Sequence, residues 1–310
     1  MTLFSPPPSQ QIYRSHVPER YDGFMIEDYF ASRFNYLPLE EWVGVIDSGC
    51  IHLNGKPARP GAVLSAQDQT EARLGWRQEP PARRHLEIVY EDAAIRVFNK
   101  AAPLPVHPCG RFFENSMTEL LRRVYPREIP RPVQRLDAET TGLIVFARTR
   151  QAASHLAVQF QKNQVHKEYL ALALGSSAQR ELKIDAPIGK TSGSRRKISN
   201  GEGAKSAYTE ASLLCSREGL SLFRVVPRTG RTNQIRVHLA SAGLPLYNDS
   251  VYGTAMPDCY EFGLHAHRLA FDSLDRRIEL TARPPAHFEP FLSGLDESAG
   301  VPVVSASEST

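Results

Sequence analysis

Arg135 and Asp137 stand two residues apart in the stretch RPVQRLDAETTGLIVF (131–146), and the turn Thr140-Thr141-Gly142 separates them from the apolar run Leu143-Ile144-Val145-Phe146. A short apolar run bounded by turn residues reads as a buried strand. An acid and a base on a loop against such a strand imply a carboxylate that is placed and partly withdrawn from water. On these residues alone two readings stay open: a structural ion pair between Asp137 and Arg135, or a carboxylate that does chemistry. Carboxylate hydrolysis of a glycosidic bond needs a second acid across the cleft. Glu139 is the nearest acid and lies on the same turn, so it is poorly placed for that role.

Other chemistries find less support. His265-Ala-His267 has the same-face spacing of a strand, but no cysteine or carboxylate accompanies it in the pattern, and no metal is expected there. Gly201-Glu-Gly203 lacks the lysine-serine that follows a phosphate loop, so neither ATP nor a dinucleotide is implied. Cys50, Cys109, Cys215 and Cys259 are far apart and form no C-x-x-C pair, which predicts reduced thiols in a cytoplasmic protein. The net charge is only +3, so no global polycation announces nucleic acid, and the distribution of charge must carry that argument. The apolar runs are shorter than the roughly 18–20 residues of a membrane span. The N-terminus lacks the basic start and apolar core of a secretory signal.

Four blocks in fixed order extend the reading. They are Ile95–Pro108 (IRVFNKAAPLPVHP), Arg135–Gly142 (RLDAETTG), Lys167–Ala171 (KEYLA) and Arg228–His238 (RTGRTNQIRVH). The second resembles the RLD-x-x-T-S-G motif of the RluA family of RNA pseudouridine synthases. The first resembles that family's strand-turn-strand opening, the third its K-x-Y-x-A block and the fourth its TGRTHQIRVH block. Together they cover roughly residues 85–285. The sequence departs from the family pattern at Gln134 and Asn233, where histidine is usual, and at Thr141, where serine is usual. Each keeps hydrogen-bonding ability, so the departures bear on positioning and substrate choice and leave the chemistry in place.

The resemblance implies isomerisation of uridine to pseudouridine in ribosomal or transfer RNA, with no cofactor and no metal. The N1–C1′ bond breaks, the uracil turns, and C5 is joined to C1′. Asp137 is implied as the nucleophile. Arg236 matches the family arginine that pairs with this acid; a guanidinium favours the ionised form that burial disfavours. Arg236→Ala is expected to remove most turnover and leave the fold intact. Tyr169 shares a strand side with Lys167, where its ring can stack on the extruded base and its hydroxyl can help remove the C5 proton. Arg135 matches the position whose arginine fills the space left by a flipped nucleotide. Arg135, Lys167, Arg231 and Gln234 are expected to bind substrate. The implied partner is RNA rather than DNA or a membrane, and a monomer is expected. A non-catalytic RNA binder on the same scaffold is the alternative; binding alone does not need an acid in a phosphate-rich site.

These residues need elements to hold them. Residues 1–18, with three consecutive prolines, read as an extended lead-in. Residues 19–79 follow as two helices, near Met25–Phe30 and Trp42–Ile46, and a hairpin over Cys50–Pro57 with an Asn-Gly turn. This order resembles a degenerate S4 RNA-binding module of small α/β type, with acids mixed among its bases. Residues 80–86 read as a linker. Residues 87–294 predict an α+β catalytic domain of the pseudouridine synthase type. It should have a mixed, mostly antiparallel sheet with flanking helices: strands near 87–90, 94–99, 143–147, 168–174, 206–214, 220–227, 267–271 and 277–281, and helices near 116–124, 150–162 and 232–242. Residues 295–310 read as a flexible tail. Bases cluster at Arg111, Arg122, Arg123, Arg127 and Arg131, and again in Arg195-Arg196-Lys197, which predicts a mobile, phosphate-contacting arm.

Overall fold

The computed structural model describes residues 3–34, 37–191, 195–257 and 259–293. The chain divides into two units: Ser5–Pro80, and Met1–Phe4 together with Pro81–Thr310.

The smaller unit runs β1 (Ser9–His16), α1 (Ile26–Arg33), α2 (Leu39–Asp47), β2 (Ile51–Leu53), β3 (Lys56–Pro57) and β4 (Gln69–Arg77), with strand order β1-β4-β2-β3. Asn54 and Gly55 turn the β2–β3 hairpin at φ 50° and 81°, which asparagine and glycine adopt readily. Ile26, Tyr29, Phe30, Trp42, Ile46 and Ile51 form its core. The expected lead-in is corrected here, because Ser9–His16 pairs along β4. This edge strand is held by backbone bonds, and residues 12–16 are exposed or half-buried, so it carries almost no apolar alternation for sequence reading to find.

The larger unit contains β5 (Leu86–Glu91), β6 (Ile95–Lys100), α3 (Met117–Val124), β7 (Arg131–Pro132), β8 (Thr141–Ala147), α4 (Arg150–Gln161), β9 (His166–Leu174), β10 (Glu181–Asp185), β11 (Ile188–Lys190) and β12 (Arg196–Ile198). It continues with β13 (Tyr208–Arg217), β14 (Leu220–Pro227), α5 (Gln234–Ser241), β15 (Leu264–Asp272), β16 (Arg277–Thr281) and α6 (Glu289–Leu292). The main sheet has the order β10-β13-β14-β9-β15-β8-β6-β5, with β16 on β15 and β7 on β8. Its pairings are antiparallel except β15 with β8. This is the α+β architecture expected.

Helices cover both faces, which is why β6 and β8 read as unbroken apolar runs. Val97, Leu143 and Val145 pack with Ala152 and Leu156 of α4, whereas Phe98, Ile144 and Phe146 pack with Leu120 and Leu121 of α3. Ala171, Phe223 and Val225 meet Ile235 and Leu239 of α5, and Leu170, Leu172 and Leu222 meet Phe288 and Phe291. At the middle of the sheet the parallel pairing of β8 with β15 lasts two residues, Thr141 with His265 and Gly142 with Ala266. Gly142 has φ +106°, and a Cβ there would lie 2.2 Å from the Ala266 carbonyl oxygen, so only glycine lets the strands meet. Beside this junction β15 bulges: Ala266 opposes Tyr169 and Arg268 opposes Glu168, leaving His267 as the extra residue.

Ala82 exchanges backbone bonds with Phe4, and the Arg83 amide donates to Pro103, so part of the expected linker is built into the larger unit. The basic arm contains the β11–β12 hairpin; residues 192–194, and the expected tail 295–310, lie outside the described residues. No helix among the described residues is long and apolar enough to cross a membrane.

Candidate active site

Asp137 sits on the loop between β7 and β8, and both flanks of that loop are tied down. Leu136 and Thr140 are buried, and the Thr140 amide donates to the Asp137 carbonyl at 3.2 Å. The Ala138 carbonyl accepts from the Leu104 amide at 2.9 Å and from the ammonium of Lys100 at 3.1 Å. Lys100 is itself buried and also donates to the carbonyls of Ala101 and Leu104, at 3.0 and 2.7 Å. Burial pulls this ammonium down to about 7, against the opposing charges of Glu139 and Asp137. Three carbonyls match its three protons, so Lys100 pins the backbone next to the acid. The Asp137 side chain keeps 22 % of its surface exposed, enough to be reached from the cleft.

Arg236 comes from the first turn of α5, whose residues Gln234–Leu239 are all buried. A helix enclosed on every side lies in the core, which removes the possibility of a surface arginine. Its Nη1 donates to Asp137 Oδ2 at 2.9 Å. Its Nε and Nη2 donate to Asp249 Oδ2 and Oδ1, both at 2.8 Å. Burial opposes the Arg236 charge, but Asp249 and then Asp137 more than compensate and raise its pKa further. Burial likewise pushes the Asp249 carboxyl up, yet Arg236 and the amides of Val251 and Tyr252 outweigh it and hold the group below the usual range.

Tyr169 on β9 projects to the same cleft as Lys167, as strand alternation requires. Burial pushes its hydroxyl up to about 12, with the Asp137 charge adding to the effect, so it is protonated over the whole physiological range. Burial lowers the Lys167 ammonium, which lies 3.5 Å from the Thr229 carbonyl. The cleft, about 310 Å³, is lined by all seven residues singled out from the sequence: Arg135, Asp137, Lys167, Tyr169, Arg231, Gln234 and Arg236. That volume lies at the lower end of small-ligand sites, about 300–1,000 Å³. Arg135 is exposed at its rim and Glu139 is exposed outside its lining, so no second acid faces Asp137 within the cleft.

Two expected substrate contacts look different in place. The Gln234 amide is fully used: Oε1 accepts from Thr229 Oγ1 and the Arg231 amide, and Nε2 donates to the Tyr208 carbonyl and Thr209 Oγ1. Its four bonds hold the 229–231 turn and leave nothing for substrate. Arg231 Nε donates to the Ser206 carbonyl at 2.9 Å. The departures from the family pattern are accommodated. Asn233 starts α5 at φ 57°, a conformation asparagine tolerates, and donates to the Tyr252 hydroxyl at 2.9 Å. Thr141 Oγ1 donates to His265 Nδ1 at 2.8 Å, and Gln134 spans β8 at 3.4–3.5 Å. His265 Nε2 and His267 Nδ1 both donate to the Ala282 carbonyl, and among the described residues no cluster could hold a metal.

Sequence reading missed Asp249 and Lys100. Asp249 sits in the turn-rich run Asn248–Gly253, which carries no sign of burial. One signal was available in principle: a buried guanidinium has five donors, and one acid cannot satisfy them.

Residues 94–241 match the RNA pseudouridylate synthase family. The chain is 34% identical over 256 residues to the ribosomal large subunit pseudouridine synthase D of Pseudomonas aeruginosa, a match covering 79% of each chain. It is 30% identical over 245 residues to the mitochondrial tRNA pseudouridine(32) synthase of Saccharomyces cerevisiae, covering 77% of this chain and 53% of that protein. Among solved structures, human RNA pseudouridylate synthase domain containing 1 superposes with a TM-score of 0.57 at 27% identity, over 71% of this chain and 89% of that one. The chain spans 53% of the yeast relative and 62% of the Arabidopsis thaliana RNA pseudouridine synthase 7. Shared sequence along most of the bacterial relative, and a shared fold, place the chain in the RNA pseudouridylate synthase family, in its RluA-type branch.

Proposed function

We propose that the protein isomerises uridine to pseudouridine in structured ribosomal or transfer RNA. The observation that carries this reading is the convergence of Asp137, Tyr169 and Arg236, from three separate segments, on one cleft. In the proposed reaction a flipped uridine enters the cleft and the Asp137 carboxylate attacks the sugar or the base. The N1–C1′ bond breaks, the uracil turns on the Tyr169 ring, C5 bonds to C1′, and the bond to Asp137 breaks to return the free carboxylate. The C5 proton leaves and N1 gains one, so the overall change is redox-neutral and calls for no cofactor. Arg236 orients Asp137; exposed Arg135 occupies the vacated stack; Lys167 and Arg231 contact substrate.

The unit Ser5–Pro80 belongs to the proposal as an S4-like RNA-binding module, supported by its order of two helices and a hairpin. Exposed Lys56 and Arg59 are the bases it offers on and beside that hairpin. A cytoplasmic setting, suggested by four cysteines without disulfides, completes the reading.

The test uses RNA from cells lacking this gene, labelled with tritium at uracil C5 and incubated with wild type or Asp137→Asn. Wild type should release tritium, and Asp137→Asn should be slower by more than about a thousandfold. Binding of RNA without release by wild type would favour a non-catalytic binder, and equal release by both would mean a different acid.

A further inference from the structure

The cleft runs further than the reacting groups require. Its floor follows β15 from Leu264 and Ala266 to Arg268 and Leu269. Ala266 opposes Tyr169 of β9, whereas Leu269 opposes Lys167. At about 3.3 Å per residue the floor therefore extends about 7 Å past the tyrosine. This end has its own lining. Phe160, from the last turn of α4, is half-buried against the cluster that holds Leu143 and Leu269, and Val133 packs on the same cluster. Gln134 reaches across β8: its Nε2 donates to the Leu143 carbonyl at 3.5 Å and its Oε1 accepts from the Val145 amide at 3.4 Å. Both bonds are long, and each atom keeps a second position, one N–H and one lone pair. Lys167 and Arg268 add positive charge, Arg268 being paired with Glu279. Phe160, Gln134 and Arg268 have no part in the reaction proposed above.

We propose that this end of the cleft is a second nucleobase subsite: it takes the base next to the target uridine in the RNA chain, stacked on the Phe160 ring with its edge toward the Gln134 amide. This rests on the function proposed above and narrows its substrate. An aromatic face, an amide with a spare donor and acceptor, and a cation along one concave wall suit an unstacked base. The ring takes the π-face, the amide takes the edge, and the cation takes the neighbouring phosphate. Successive nucleotides of a helical strand rise by about 3.4 Å, half the spacing between Tyr169 and this end. Two neighbouring bases reach both positions only when they are pulled apart. The substrate is therefore a loop or bulge in which the target and its neighbour are both unpaired, and not a continuous duplex.

A half-buried phenylalanine on a core cluster could instead be packing alone, and the two roles rank substitutions in opposite orders. Phe160→Leu keeps an apolar side chain and removes the ring face; Phe160→Tyr keeps the ring and adds a hydroxyl. Tritium release is measured for both against the concentration of C5-labelled RNA from cells lacking this gene. Stacking predicts that Phe160→Leu raises KM about tenfold and moves kcat by less than about threefold. Phe160→Tyr should then return KM to within about twofold of wild type, because any base has a face for the ring. Packing alone favours leucine and penalises the buried hydroxyl. A KM for Phe160→Leu as low as that for Phe160→Tyr would overturn the proposal.

A second measurement survives misfolding of Phe160→Leu and needs no activity. Phe160→Trp is introduced into the Asp137→Asn protein, and the added indole emission is taken as the difference from Asp137→Asn alone. The probes are a short oligouridylate and the same strand paired with oligoadenylate. A base stacked on the indole should quench the added emission with the single strand and leave it unchanged with the duplex. Equal quenching by both, or none at saturating single strand, would sink the idea. If wild type releases no tritium from any RNA, the proposed function fails by that result alone, and the quenching still reports whether this end takes a base.

Discussion

Replacing Arg236 by alanine removes a cation that two carboxylates share, and one of those carboxylates has no access to water. The expectation from sequence, lost turnover on an intact fold, therefore changes. Leaving Asp249 buried and unpaired should cost about 3–5 kcal/mol, read as a lower denaturation midpoint in urea, besides the loss of turnover. Tyr169 raises a different question, since its hydroxyl is held protonated up to about 12. A group in that state donates or relays a proton and does not rest as a base. Tyr169→Phe keeps the ring and should lower kcat by about a hundredfold with KM little changed; full activity would leave the ring as a platform only. These residues were legible in the sequence because each sits in a short local motif. Asp249 was not, because what marks it is a contact with a residue thirteen positions earlier.

At the scale of elements, the site depends on how β8 meets β15. The two run parallel for two residues, and Gly142 allows the approach. A methyl at Gly142 would meet the Ala266 backbone and hold its own residue at a strained positive φ, so Gly142→Ala should destabilise by about 3 kcal/mol. Because Asp137 lies five residues before this point, the folded fraction should also lose activity, checked by kcat at a temperature where the variant stays native. Most elements of the larger unit were visible as apolar runs. Strand β10 was missed because its residues alternate between exposed and half-buried, so the strand carries no apolar run. The two-residue β7 offers too little pattern to find.

Across the whole molecule, histidine burial sets a pH signature. Burial pulls His265 down to about 3, and also lowers His238, His267 and His287. An unfolded histidine takes its proton near 6.5, so below that pH the unfolded chain binds more protons than the native one. Stability from this source is complete above about 6.5 and is lost as pH falls towards 3. Urea midpoints measured from pH 7 to 5 should fall, in a range where most carboxylates have yet to titrate. His265→Gln, which keeps a donor for Ala282, should flatten that slope. A slope unchanged by the substitution would remove His265 from the account.

Sequence by itself determined the family, because four ordered blocks carry its motifs in local patterns, and three of them hold the acid, the tyrosine and the arginines of the proposed site. It also determined the α+β class, through the alternation of apolar runs with helical segments. Only the tertiary structure decided that the second, third and fourth blocks line one cleft, that Gln234 is spent on the protein, that Asp249 pairs with Arg236, and that Lys100 ties down the Ala138 carbonyl. The physical reason is range: strand and helix periodicity is written over a few neighbouring residues. The satisfaction of a buried charge is settled between segments far apart in the chain, as Arg236 and Asp137 are.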